Sequence, residues 1–497
     1  MTTATGPYLP LFLLVCLASA PALAQERPTE DALFGAPPYE PSAADATTTP
    51  ASSSAPDADT RVQQPVSSAR KPGEGAAAPL EAPDKPLQVG GMIYVRSNLA
   101  AREGASPNHY TLNGPTLIDG YLDARPSDRL RGFVLGRLLF DPTQGSRAEN
   151  AVGGITLPAA TTTSNPQVLL DQYWLQFDLD RVAFVTVGRQ HDKWGVGHFW
   201  NPTDYLHPVQ LNPLALFDER TGTLMARVAV PWEELGWNFS AMAVFQPLTQ
   251  STGSGTANLL GAGEVNRVGA AARAELVLGG FELGLDGVVQ PGIRPRFGID
   301  LSGGIWELDV HGGLGLRTGS DVPLYQGPSP FSAAATTYQP PGIRPMAVIG
   351  AEWTRKYSDD GTLTLGLEYF YDSNGNADAT LYPLLLYKNA LTPFYLGRHY
   401  GGAYLLLPGP GSWKHHTFVL SAVANLSDRT EIVRLDWSYA LRTQLTLEAY
   451  VQGHLGQDGG EFRLSLDVPP DTVPGYPSAL RVGAPTVDVG VALRLKI

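Results

Sequence analysis

The last eleven residues of the chain alternate without a break. Val487, Val489, Val491, Leu493, Leu495 and Ile497 share one parity, and Asp488, Gly490, Ala492, Arg494 and Lys496 share the other. Side chains of a strand point to opposite faces with period two, so this is a β-strand with one apolar and one polar face. Placed at the C-terminus of an exported chain, it is expected to be the closing strand of a membrane barrel. The apolar face meets lipid and the charged face meets a water-filled lumen.

The N-terminus supplies the export signal. Leu11, Phe12, Leu13, Leu14 and Val15 lie in an apolar stretch, and Ala22-Leu23-Ala24 before Gln25 forms an A-x-A cleavage pattern. The stretch is irregular in having no Lys or Arg before it. Residues 1–24 are therefore expected to be a signal peptide. The single cysteine, Cys16, falls inside it, and Val15 is too bulky for a lipoprotein site. A mature chain without cysteine has no disulfide, thiolate metal site or thiol nucleophile. No later run reaches about 18 apolar residues, so no membrane-spanning helix is expected.

Composition narrows the class. A soluble core of 497 residues divides into domains, whereas every residue of a large barrel can face lipid or lumen. The net charge of -13 is a poor match for nucleic acid and, in a pore, leans toward cations or neutral solutes. Residues 25–86 are rich in Ala, Pro, Ser and Thr, and stretches such as ADATTTPASSSAP carry no periodicity. This segment reads as a disordered periplasmic linker, able to reach a periplasmic partner.

From residue 87 onward about eighteen strand-like segments follow, of a length that spans a bilayer when tilted. The expected fold is an all-β, antiparallel transmembrane barrel of about 18 strands (range 16–20) over residues 87–497. Loop lengths sort by parity. Short connections are expected on the periplasmic side at Arg125–Asp128, Asp180–Arg181, Pro231–Leu235, Gly279–Gly280, Gly303–Gly304, Ser358–Gly361, Ser427–Arg429 and Gln457–Gly460. Long ones are expected outside, at 142–167, 191–222, 247–264, 318–343, 374–412 and 469–484, with a short outer turn near Arg442–Thr443. Within 374–412, Tyr382–Tyr387 and Tyr400–Leu407 could pair as an extra hairpin. Trp232, Trp237, Trp306 and Trp353 fall near periplasmic ends, where an aromatic girdle sits.

Alternation assigns charges to the lumen wall. Arg131, Arg137, Arg273, Arg434, Arg463 and Arg494 are among the basic ones, and Asp119, Asp123, Glu368, Asp436, Glu448 and Asp467 among the acidic. The most distinctive stretch leaves the fifth strand. Gly188-Arg189-Gln190 leads into Asp192, Lys193, Trp194, Gly195, Gly197 and then Trp200-Asn201-Pro202-Thr203-Asp204. Mixed charge and flat rings suit a loop that folds inward and sets the width of a pore. Arg131, Arg137, Arg189, Asp192, Lys193, Trp194, Trp200 and Asp204 are the expected pore and constriction residues, with the rings offered to sugars.

Residues 188–204 resemble uncharacterised Gram-negative outer-membrane, porin-like β-barrels that carry a GRQ…WGxG…WxPxD pattern. The resemblance implies a porin-like channel, and some related barrels are implicated in polysaccharide passage. Such barrels usually end on an aromatic, whereas this chain ends on Ile497.

Other features carry less chemistry. The pentapeptide Pro291-Gly292-Ile293-Arg294-Pro295 recurs at Pro341-Gly342-Ile343-Arg344-Pro345 and reads as a recurring outer turn. His191, His198 and His207 have no standard metal spacing. Ser412 near His415 is a candidate Ser–His dyad that nothing in the sequence sets apart. No enzyme, metal or cofactor is expected. The sequence thus points to a Gram-negative outer-membrane channel, bedded in lipid and passing small hydrophilic solutes, sugars among them, by diffusion. The alternative is a barrel serving polysaccharide export or an envelope-spanning machine. Porins commonly assemble as homo-oligomers, but no strand here announces an interface.

Overall fold

A computed structural model describes residues 86–144, 163–207, 212–246, 248, 267–327, 336–358, 361–468 and 480–497, apart from positions 216, 219 and 389. It also describes residues 147–148, 151–152, 155–156 and 470. The expected signal peptide and linker (1–24 and 25–86) lie outside the described residues, except for Pro86.

Eighteen strands form the wall: β1 (Leu87–Arg102), β2 (Thr116–Ser127), β3 (Leu130–Phe140), β4 (Gln167–Leu179), β5 (Ala183–Gln190), β6 (Thr223–Trp232), β7 (Trp237–Val244), β8 (Gly269–Leu278) and β9 (Phe281–Val289) make the first half. The second half is β10 (Arg296–Ile305), β11 (Leu308–Thr318), β12 (Ile343–Lys356), β13 (Thr362–Asp372), β14 (His399–Pro408), β15 (His416–Asn425), β16 (Thr430–Arg442), β17 (Leu445–Gly456) and β18 (Pro485–Lys496). Each pairs antiparallel with its neighbours in sequence, and β18 pairs with β1 to close the cylinder, Met92 opposite Lys496 and Leu99 opposite Val489. Closure removes the free edge that a membrane would not tolerate.

Both faces follow the alternation. On β18, Val487, Val489, Val491, Leu493 and Leu495 are exposed on the outside, while Ala492 and Arg494 are buried within. This outward apolar belt on a closed barrel makes the protein an outer-membrane β-barrel. Aromatic rings gather at the end with the short turns, the periplasmic end in such barrels. Trp232 and Trp237 meet edge-on at 6.2 Å across the β6–β7 turn. Trp306 is 97% exposed at the β10–β11 turn. Trp437 donates from Nε1 to His416 Nδ1 at 2.9 Å.

The strand count of eighteen is met, but by a different route near the C-terminus. Tyr382–Tyr387 is a short helix, α1, and not half of a hairpin. Residues His399–Pro408 are a full wall strand between β13 and β15. Conversely, residues 461–468 form a 3-10 turn (Glu461–Arg463) and a short strand (Leu466–Val468) off the wall. Ser427–Arg429 and Gln457–Gly460 therefore lie at the outer end, and Arg442–Thr443 lies at the periplasmic end. Arg463 and Asp467 belong to an outer loop rather than to the lumen wall. Gly303 and Gly304 are inside β10, and the turn is Trp306–Glu307.

Candidate functional site

Between β5 and β6 the described residues of 191–222 turn into the lumen, and one carboxylate seats them. Glu368 projects inward from β13. Its Oε2 accepts the backbone N–H of His198 at 2.7 Å, and its Oε1 accepts those of Phe199 and Trp200 at 3.1 and 2.9 Å. His311 on β11 adds a contact from Nε2 to Oε2 at 3.0 Å. Successive N–H groups converging on an anion form a backbone nest, and charge-assisted bonds of this kind are the strong ones. Asn201 shapes the turn by accepting from Gly197 N at 2.7 Å and donating to Gly197 O at 3.0 Å.

Rings then lock the seat. Trp200 is fully buried, stacks on Phe370 at 5.4 Å and donates from Nε1 to Phe394 O at 3.1 Å. Phe199 lies against the backbone of Gly402, where an added Cβ would come within 2.4 Å of the ring. Trp194 is buried in a second cluster with Tyr205 and Leu206, and Arg273 sits over its ring at 5.9 Å.

The other foot of the loop is ionic. Asp204 accepts from Arg220 Nη1 at 2.9 Å and from His207 Nδ1 at 2.9 Å. Arg220 also grips Asp218, the shortest bond being 2.7 Å. His207 meets His191 at 3.3 Å, and His191 meets Asp171 on β4 at 3.1 Å. Burial pushes the Asp204 and Asp218 carboxyls up, but His207 and Arg220 for the first, and Arg220 above all for the second, hold both well below the usual range. Burial, with Lys193 and His311 nearby, pushes the His198 imidazole down to about 3.

The expected pore residues divide into two groups. Arg131 makes a bidentate pair with Asp123 at 3.0 and 2.9 Å, and Arg137 does the same with Asp119 at 2.9 and 3.1 Å. Both are thus held by the adjacent strand. Arg189 is buried, with Nε and Nη1 unbonded. Asp192 lies 3.4 Å from Arg227. Lys193 keeps an exposed side chain inside the barrel, where the enclosing protein and the Arg220 charge draw its ammonium below the usual range, against the pull of Asp218, Asp204 and Glu368. Trp194 and Trp200 expose 1% and 0% of their surface, so the rings expected to offer flat faces to a solute are instead packed against the wall. Asp204 is buried in the ionic foot described above. The residues of the seat that sequence did not single out are His311, Asp171, Asp218 and Arg220. Glu368 was one lumen acid among many.

Beneath the loop, in the periplasmic half of the lumen, lies a cavity of about 130 Å³. Its lining mixes apolar side chains (Phe199, Leu214, Leu406, Val419), hydroxyls (Thr417, Ser421, Ser438) and the charges of Arg434, Asp436, Glu448 and Arg494, with Val419 directly opposite Asp436 across the β15–β16 pair. Arg434 bonds Asp436 at 2.6–2.9 Å and covers the ring of Tyr450 at 4.0 Å. Tyr450 in turn lies over Gly490, where a Cβ would meet it at 2.2 Å.

No family model matches this chain, and no curated protein matches it. Solved structures do. OccAB1 of Acinetobacter baumannii is 11% identical with a TM-score of 0.50, covering 84% of this chain and 99% of its own. OprB of Pseudomonas putida is 10% identical at a TM-score of 0.47, covering 83% and 95%. A triple mutant of the Rhodopseudomonas blastica porin is 10% identical at 0.37, covering 83% and 100%. The fold is porin-like: an 18-stranded barrel of the outer membrane with a loop folded into its lumen.

Proposed function

We propose that this protein is a passive diffusion channel for small hydrophilic solutes, with loop 191–222 as its constriction. The supporting observation is the Glu368 seat, which holds a loop of mixed charge across the interior of a closed, charge-lined barrel. Arg189, Asp192 and Lys193 lie on the stretch entering that loop, and Arg131 and Arg137 line the wall below. Together they would set the pore's width and field. The acidic balance of the chain favours cations and neutral solutes over anions. Sugars are the less supported cargo, because Trp194 and Trp200 present no free ring. The charges of the wall are spent on positioning and hydration, so no catalytic role is assigned to them. Planar-bilayer recording of the purified full chain tests this reading. Discrete open steps that enlarge when the loop is shortened are expected, and a barrel silent in both forms would overturn it.

A further inference from the structure

Phe394 joins the constriction to the outer surface. It lies between β13 and β14 and is buried among the rings of the seat. Its carbonyl accepts from Trp200 Nε1 at 3.1 Å, and its own N–H donates to Glu461 Oε1. The two polar groups of one residue thus face two different loops. Its φ of 68° is left-handed, a region that bulky residues rarely adopt. Such a backbone persists only where its surroundings hold it there.

Glu461 does the holding and is itself firmly anchored. It opens the 3-10 turn in the outer loop between β17 and β18. Its Oε2 accepts from the Tyr400 hydroxyl at 2.6 Å and from Asn425 Nδ2 at 2.8 Å, and its backbone N–H donates to Asp428 Oδ2 at 2.8 Å. Phe462, next in sequence, lies with its ring 5.4 Å from that of Phe394. Its N–H donates to Thr430 Oγ1 at 3.2 Å, and its carbonyl meets His454 Nδ1 at 2.8 Å. The turn is therefore fixed to β14, β15, β16 and β17. Tyr400 is a second bridge, with its hydroxyl on Glu461 and its ring 5.6 Å from that of Trp200.

We infer that Glu461 is a positioning residue for the constriction. Acting through Phe394, it makes the outer turn a distal anchor of loop 191–222, so that the width of the pore depends on where that turn sits. The inference rests on the reading of loop 191–222 as the constriction. Without the Glu461 carboxyl, the left-handed backbone at Phe394 loses what holds it. It relaxes, its carbonyl leaves Trp200, and the buried indole N–H is left without an acceptor. A merely local role would disturb the outer turn and leave Trp200 in place.

A double-mutant cycle on the full chain separates the two. Trypsin cleavage at Lys193, read by mass spectrometry on barrels shown to be folded by heat-shifted mobility, measures the withdrawn loop. Glu461→Ala should raise cleavage about tenfold, the effect of one lost hydrogen bond. Trp200→Phe keeps a ring against Phe370 but has no N–H to give. In that background Glu461→Ala should add no more than about twofold, because the link is already cut. Glu461→Gln keeps an oxygen for the Phe394 N–H and should stay within about twofold of wild type. Single-channel steps should enlarge in Glu461→Ala and not in Glu461→Gln. If Glu461→Ala does not fold, Phe462→Ala decides in the same cycle, with about threefold more cleavage expected only where the Trp200 indole is intact. Wild-type cleavage in a folded Glu461→Ala barrel, an equal increase with and without the indole, or a Gln variant as open as the Ala one would overturn the inference. A barrel with the expected protease pattern that conducts no current would sink the channel reading and leave the coupling standing.

Discussion

Removal of the Glu368 carboxylate should release the constriction without opening the barrel. In Glu368→Ala the N–H groups of His198, Phe199 and Trp200 lose their shared acceptor. Each buried, unsatisfied donor costs about 1–3 kcal/mol. The loop can relax and water can enter, so a net loss of about 3 kcal/mol is a conservative figure for three donors. That shifts the seated-to-withdrawn equilibrium by about two orders of magnitude. Glu368→Gln is the finer probe. Its amide oxygen can keep Phe199 and Trp200, but its NH2 group then faces the His198 N–H, so about half of the loss should remain. Trypsin gives the readout, because Lys193 and Arg220 flank the seat and should be cut only when the loop withdraws. Single-channel recording should show larger, noisier steps in the same order: wild type, Gln, Ala. The reasoning fails if Glu368→Ala leaves both protease protection and unit conductance unchanged while the barrel remains folded.

Three further outcomes are expected. Gly402→Val places a branched side chain where the Phe199 ring lies 2.4 Å from an added Cβ, so the loop should be displaced at a cost of about 1–3 kcal/mol. Limited trypsin digestion should resemble that of Glu368→Ala. The seat should also weaken in acid. His198 is held neutral by burial down to about pH 3, so the withdrawn loop takes up a proton first as pH falls below about 6.5. Asp204 and Asp218, whose folded values are depressed, lose their stabilising charge only below the ordinary carboxylate range. Conductance noise should therefore grow below about pH 6.5 and again below about 4, and His198→Gln should remove the first phase only. Finally, Ile497→Phe should raise the folded fraction recovered from membranes, measured by heat-shifted mobility. A C-terminal aromatic is what outer-membrane barrels of this kind usually present. Unchanged recovery would mean that insertion reads other features of β18.

Much of the wall was legible because alternation carries it directly: each lipid-facing residue must be apolar whatever its neighbours do. The failures came where that signal is diluted. β14 opens His399-Tyr400-Gly401-Gly402, and two glycines in a row weaken a strand's signal, so Tyr400–Leu407 stands out only as half of a possible hairpin inside loop 374–412. Gly402 is there because the ring of Phe199, from a loop some two hundred residues away in sequence, occupies the space of a side chain. Residues 461–468 alternate convincingly, yet Glu461 is drawn off the wall to accept from Tyr400 and Asn425. Burial raises its carboxyl to about 8, and Asp428 adds to the rise. Each error reversed the parity of what followed, and together they cancelled. The inward loop was suggested by its mixture of charge and rings. Its attachment was not, because a carboxylate 168 residues from the N–H groups it binds leaves no local trace. The same holds for the cavity, whose lining combines β14 to β18 with residues of the loop.

The pairing of β18 with β1 also fixes when this protein can fold. Arg102 reaches Gly483 across 381 positions, and Gly91 exchanges backbone bonds with Ile497. No cylinder can shut until β18 has emerged from synthesis and export to meet β1. Bringing such distant ends together is a slow, entropically opposed step. Until then the alternating strands expose their apolar faces to water in the periplasm. Holding factors there must keep the whole chain soluble, so loss of β18 should cost the cell the entire barrel rather than one strand of it.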